Sequence, residues 1–122
     1  MNGNNYLADT NSFIFLLDRH PTLQTLLEGN WHYSFITEIE LLGKTGILDK
    51  EVSIVRELLA ACSKVAHPEK INHIAISLRQ KQRIKVPDAL IAATAIYHKL
   101  PLITFDKGFT KIESLDIVLM EP

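Results

Sequence analysis

Four acidic side chains, Asp9, Glu40, Asp88 and Asp106, are the residues of this sequence best placed to do chemistry. Asp9 follows the apolar run Tyr6–Ala8, and Glu40 ends Ser34-Phe-Ile-Thr-Glu-Ile-Glu40. Asp88 follows Val86-Pro87, and Asp106 ends Leu102-Ile-Thr-Phe-Asp106. Each stands where the chain leaves a strand-like segment or enters a helical one. In an open parallel α/β sheet such positions gather at the carboxyl ends of the strands, where ligands bind. Four carboxylates meeting there without basic partners repel one another, and a divalent cation relieves that repulsion. Hard oxygen donors suit Mg²⁺ or Mn²⁺, which keep several waters and engage phosphate oxygens. Such a centre activates water and stabilises the leaving oxygen of a phosphodiester.

Taken one at a time, the acids have plainer roles. Asp9 before Thr10-Asn11 and Asp106 before Lys107-Gly108 have the form of helix N-caps. Thr37-Glu-Ile-Glu40 fits a capping box in which Glu40 reaches back to the Thr37 amide. Asp88 complements a helix dipole. Their joint placement favours the metal site. Asp9 and Asp106 are expected after adjacent central strands, with Glu40 and Asp88 at the starts of flanking helices. Glu38 and Glu40 lie about 200° apart on a helix, so only one faces the site; Glu40, three residues after Thr37, is the one assigned. Among the small polar neighbours, Thr10, Asn11 and Thr104 are assigned to supporting the carboxylates or metal-bound water, whereas Ser12 and Thr37 read equally well as caps.

The elements that must position these residues alternate. Strands are expected at Tyr6–Ala8, His32–Ile36, Lys64–Ala66, Leu100–Thr104 and Asp116–Met120. Helical patterns run over Thr10–Asp18, Thr22–Leu27, Thr37–Thr45, Lys50–Cys62, Glu69–Gln82 and Pro87–Lys99. This alternation implies a three-layer α/β/α sandwich around a mostly parallel five-stranded sheet. Ala89-Leu-Ile-Ala-Ala-Thr-Ala-Ile96 is apolar nearly all round, which marks a helix buried on most sides.

Composition removes other classes. The chain has 122 residues, a length for one domain spanning 1–122. No apolar run approaches the ~20 residues of a membrane span. The first five residues lack the basic start and apolar core of a secretory signal. Cys62 is the single cysteine, so no internal disulfide forms, which fits a cytoplasmic location. A net charge of −1 argues against binding polyanions by bulk charge. A local basic rim remains: Arg79, Lys81, Arg83 and Lys85 precede Asp88 and are candidate RNA-backbone contacts, and Lys107 and Lys111 follow Asp106. The histidines show no zinc spacing, and no phosphate-binding glycine loop or nucleophile elbow is present.

At the four acids the chain resembles a PIN domain, particularly the VapC-type toxins of prokaryotic toxin–antitoxin pairs, over essentially its whole length. Leu7-Ala-Asp-Thr-Asn11 is similar to that family's opening segment, and Ser34-Phe-Ile-Thr-Glu-Ile-Glu-Leu-Leu42 to its Ser-x-x-Thr-x-x-Glu-Leu segment. Val86-Pro-Asp-Ala-Leu-Ile-Ala-Ala-Thr-Ala95 resembles the Asp-bearing helix, and Leu102-Ile-Thr-Phe-Asp-Lys-Gly-Phe109 the closing segment. Gly108 stands where members often carry a further acid, which puts a second metal in doubt.

The resemblance implies an Mg²⁺- or Mn²⁺-dependent endoribonuclease with Asp9, Glu40, Asp88 and Asp106 as catalytic metal ligands. Water would attack phosphorus, leaving a 5′-phosphate and a 3′-hydroxyl. It also implies a homodimer and a small antitoxin, for which Phe13–Leu17 and the helix Lys50–Cys62 offer surfaces. The rival reading is a PIN-like protein or RNA adaptor without catalysis. A phosphoacceptor domain is disfavoured because Lys64-Val-Ala-His-Pro68 offers no Asp after the third strand.

Overall fold

The computed structural model describes residues 4–18 and 29–121. Strand β1 (Asn5–Ala8) leads into helix α1 (Thr10–Asp18), and β2 (Asn30–Tyr33) into α2 (Phe35–Leu42) and α3 (Asp49–Ala60). Then come β3 (Ser63–Lys64), α4 (Glu69–Lys81), α5 (Val86–His98), β4 (Leu102–Thr104), a 3₁₀ turn (Lys107–Lys111) and β5 (Ile117–Leu119). The five strands form one sheet in the order β3-β2-β1-β4-β5, and all four pairings are parallel. The expected α/β/α sandwich is therefore present, with β1 at the centre and β4 beside it. The expected helix Thr22–Leu27 lies outside the described residues.

Side chains alternate across the sheet, as strand geometry requires, and so build two cores. Leu7 and Leu102 point to one face, under Ile71, Ala75 and Leu78 of α4 and the alanines of α5. Ala8 and Ile103 point to the other, under Phe13 and Leu16 of α1 and Val55, Leu58 and Leu59 of α3. In α5, Ala89, Ile91, Ala92, Ala93, Thr94 and Ala95 are all buried, as its near-uniform apolar pattern predicts. Phe13 meets Trp31 edge-on at 5.4 Å between ring centres and Tyr33 at 6.1 Å, fastening α1 to β2. Trp31 is 3% exposed, and its indole N–H has no hydrogen-bond partner among the described residues.

One boundary differs from the expectation in a way that matters. The strand expected to run to Ile36 ends at Tyr33, and α2 begins at Phe35. Ser34 is its N-cap, with Oγ accepting from the Ile36 amide at 3.1 Å. Thr37 is therefore inside the helix and buried, and there is no capping box between Thr37 and Glu40. Glu40 sits in the second turn of α2, so the positive end of that helix dipole does not soften its charge. Among the described residues, no helix is long and apolar enough to cross a membrane.

Candidate metal centre

Asp9 emerges directly from the central strand and is 5% exposed. Its amide donates to the Ile103 carbonyl at 3.2 Å, which extends the β1–β4 pairing to the edge of the site. The carboxylate is held from three directions. Oδ1 accepts from the Ser12 amide (2.9 Å) and hydroxyl (2.7 Å), and Oδ2 accepts from the Thr104 hydroxyl at 2.5 Å. Asp9 thus caps α1 and is locked in orientation at the same time. Ser12, which the sequence left between cap and ligand support, is a direct donor to the acid. The signal for it was its position three residues after an N-cap aspartate.

Thr104 joins two acids. Its hydroxyl donates to Asp9 and accepts from the Asp106 amide at 3.0 Å. Asp106 caps the 3₁₀ turn, with Oδ1 accepting from the Gly108 amide at 2.7 Å. A Cβ at position 108 would lie 3.0 Å from that oxygen, so the absence of a side chain leaves room for this contact.

Glu40 faces α1, where the Thr10 hydroxyl donates to its Oε1 at 2.5 Å. Thr10 lies 3.1 Å from the Thr37 hydroxyl. Because Thr10 has one proton to give, Thr37 is the donor in that second contact, and the chain runs Thr37 to Thr10 to Glu40. Glu38 points elsewhere and pairs with Arg56 (3.0 Å) and Lys64 (2.8 Å), which hold its carboxyl below the usual range. Asn11 is exposed in the first turn of α1, and among the described residues its side chain is not hydrogen-bonded to a carboxylate.

Asp88 lies in the first turn of α5. Burial pushes its carboxyl above the usual aspartate range, and the charges of Asp106, Asp9 and Glu40 push the same way; Lys85 opposes them. Asp9, Glu40 and Asp106 are thus each within electrostatic reach of Asp88. None of the four is in a salt bridge among the described residues.

The donor set fits a hard divalent cation. A carboxylate has about four acceptor positions, and the contacts above leave at least one open on every acid. Among the described residues no three His, Cys, Asp or Glu side chains close into a ready cage.

A cleft of about 700 Å³ opens beside the acids, with Asp88 and Asp106 in its wall. Arg79, Lys81, Arg83 and Lys85 line it, as do Gln80, Gln82, Phe109 and Lys111. The basic cluster therefore shares a wall with the acids. Cys62 is half-buried against the second core, and burial pushes its thiol up to about 11, which leaves it unreactive.

A second, smaller hollow of about 270 Å³ lies between α1, α2 and α3, where Ile14, Leu17, Ile47 and Ile54 meet the charged Asp18, Glu40, Lys44 and Glu51. Of the two segments expected to offer a protein surface, Phe13, Leu16, Val55, Leu58 and Leu59 are buried in the second core, and the other residues are partly or fully exposed. Ile14 and Ile54 remain 41% and 46% exposed and contribute to this hollow.

The family model described as "PIN domain" matches residues 6–115. A toxin–antitoxin complex from Klebsiella pneumoniae contains a chain 30% identical, with 93% of this chain and 95% of that one covered and a TM-score of 0.76. VapBC-1 from nontypeable Haemophilus influenzae gives 25% identity, 94% and 97% coverage and a TM-score of 0.78. VapBC2 from Rickettsia felis, bound to a promoter DNA fragment, shares the fold at a TM-score of 0.82, with 20% identity and coverage of 96% and 99%. No curated protein matches the chain. The chain belongs to the PIN domain family and is a PIN domain protein of the VapC type.

Proposed function

We propose that this protein is a metal-dependent endoribonuclease, hydrolysing RNA phosphodiester bonds as the toxin of a type II toxin–antitoxin pair. The observation that carries the reading is the meeting of Asp88 and Asp106 with Arg79, Lys81, Arg83 and Lys85 in the wall of one cleft, with Asp9 and Glu40 near enough for their charges to act on Asp88. Carboxylates without a salt bridge that meet a basic cleft are matched by a cation plus a phosphate. Bound Mg²⁺ or Mn²⁺ would supply a water of lowered pKa and neutralise charge on the phosphate oxygens.

The chain's own residues do the rest. Ser12 and Thr104 fix Asp9, Thr104 also fixes the backbone at Asp106, and Thr10 fixes Glu40. Such preorganisation keeps the donors in place without reorganisation as charge develops. Lys81, Arg83 and Lys85 draw in and hold the RNA backbone. The Klebsiella and Haemophilus relatives occur in toxin–antitoxin complexes, and a small antitoxin is the partner assigned to the hollow beside Glu40. A homodimer and a cytoplasmic setting belong to the same reading.

Asp9→Asn and Asp88→Asn are each expected to reduce cleavage of an RNA substrate by more than about 100-fold, beyond the loss that an orienting neighbour alone produces. Circular dichroism should remain that of the parent. Cleavage by metal-free protein, or by both variants, would overturn the proposal. Gly108, in place of a further acid, favours one rival: an adaptor that binds RNA or protein without cleaving. Calorimetric titration with Mn²⁺ separates the two, since an adaptor of this kind gives no heat at millimolar metal.

A further inference from the structure

The cations of the cleft do not all have the same work to do. Between α4 and α5 the backbone is extended at Gln82 (φ −160°, ψ 162°) and Lys85 (φ −70°, ψ 153°). In extended chain, successive side chains point to opposite sides. Ile84 packs against the first core, so Arg83 and Lys85 face away from it, and both are exposed. Two carbonyls of the same segment are gripped from outside. Arg79 Nε donates to the Ile84 carbonyl at 2.9 Å, and Lys111 Nζ reaches from the 3₁₀ turn to the Arg83 carbonyl at 2.7 Å. The segment is thus pinned by one partly buried side chain and two cationic clamps.

We infer that Lys111 and Arg79 are positioning residues that brace this segment, and that Arg83 and Lys85 are the cations that meet successive phosphates of an RNA strand. The inference rests on the ribonuclease reading. Arg83 and Lys85 are roughly 6.5 Å apart along extended backbone, a step of the same order as one phosphate to the next in a stretched strand. Bracing the backbone beneath them removes part of the ordering entropy that binding would otherwise cost. Because the brace on Arg83 comes from the turn that Asp106 caps, the rim and the acid are held in a common frame. Charge counting alone would give all of these cations the same role.

The test uses the full chain carrying Asp88→Asn, so that RNA binds without being cut. Binding of a labelled single-stranded RNA oligonucleotide is followed by fluorescence anisotropy from 50 to 200 mM salt, on the order of the range over which phosphate contacts dominate. Arg83→Met and Lys85→Met should each reduce the slope of log K against log salt by about 0.7, one phosphate contact on a single strand. Lys111→Met should weaken binding several-fold with a slope change under half of that. It should also lower the backbone order parameters of residues 83–85 from about 0.85 towards 0.6. Lys111→Arg should restore both, and Arg79→Met should behave as Lys111→Met.

A Lys111→Met slope change equal to that of Arg83→Met, with unaltered order parameters, makes Lys111 a direct phosphate contact and overturns the inference. Failure of Lys111→Arg to restore binding does the same. If the parent chain binds no RNA at any salt, the ribonuclease reading falls and the proposed ligand of the rim falls with it. The order parameters, measured without RNA, still show whether the brace exists.

Discussion

At the scale of single residues, the Thr104 hydroxyl is the group that links two of the acids. It donates to Asp9 Oδ2 and accepts from the Asp106 amide, so one oxygen couples the ends of both central strands. Thr104→Val keeps the volume but removes both contacts and leaves Asp9 short of a donor in a buried setting. Metal affinity and cleavage should fall by about 10–100-fold, while Thr104→Ser stays within a few-fold of the parent. Mn²⁺ calorimetry alongside cleavage rates checks this, and a Val variant with parental affinity would remove Thr104 from the account.

Asp88 gives a second residue-level prediction. Its carboxyl is raised in the fold, by burial first and by its acidic neighbours next. Ionising it therefore costs the metal-free protein stability. That penalty is complete above the raised value, fades as pH falls through it, and is gone below the ordinary aspartate value near ~3.9. Asp88→Asn should melt higher than the parent at pH 7 without metal, and the gap should close on acidification through that window. Added Mg²⁺ should raise the melting temperature of the parent and not of the variant. Melting curves with EDTA and with Mg²⁺ decide it; a variant that melts no higher than the parent at pH 7 counts against a strained acid cluster.

At the scale of elements, legibility followed the local signals. Helix α1 has the bounds its sequence predicts, because Asp9 caps it and Phe13 and Leu16 mark one buried stripe. Helix α5 was legible from its alanines and from Pro87 in its first turn. The start of α2 was not. Phe35 and Ile36 are aromatic and β-branched, favoured in strands, and they extend the run from β2, while the deciding contact is the Ser34 cap on the Ile36 amide. That cap turns Glu38 towards Arg56 and Lys64 and leaves Glu40 for Thr10, a pairing 30 residues apart that no local pattern encodes. Helix α1 then carries two supports of the site, Ser12 and Thr10, and its own attachment runs through Phe13. Phe13→Ala should destabilise the protein by about 3–5 kcal/mol and, at temperatures where it still folds, lower cleavage with it. Urea unfolding measures the first effect; a loss below about 1 kcal/mol would mean the cavity collapses and α1 is held by other contacts.

At the scale of the whole molecule, alternation of strands and helices predicted the three layers, and the strands before Asp9 and Asp106 were expected to be central and adjacent, as β1 and β4 are; the places of β2, β3 and β5 in the order β3-β2-β1-β4-β5 were not predicted. That order is set by which strands find partners across the chain, and it is what puts Asp9 beside Thr104. The cations of the basic cleft were legible as a rim, but the hollow and the shape of the cleft were beyond local reading, since their walls come from α1, α2 and α3 in one case and from α4, α5 and the 3₁₀ turn in the other. The acids lie between them, with Glu40 at the hollow and Asp88 and Asp106 at the cleft. A partner filling the hollow would therefore sit next to a proposed metal ligand without entering the basic cleft.

The burial of Trp31 against Phe13 has a practical consequence for all these measurements. It is the only tryptophan in the chain, it is shielded from solvent, and it reports from the seam between the central sheet and α1. Its emission should be blue-shifted in the native protein and move to the red when that seam opens. Because it contacts none of the four acids, the same optical signal can follow unfolding in wild type, Asp88→Asn and Thr104→Val alike, with or without metal, and no label need be attached.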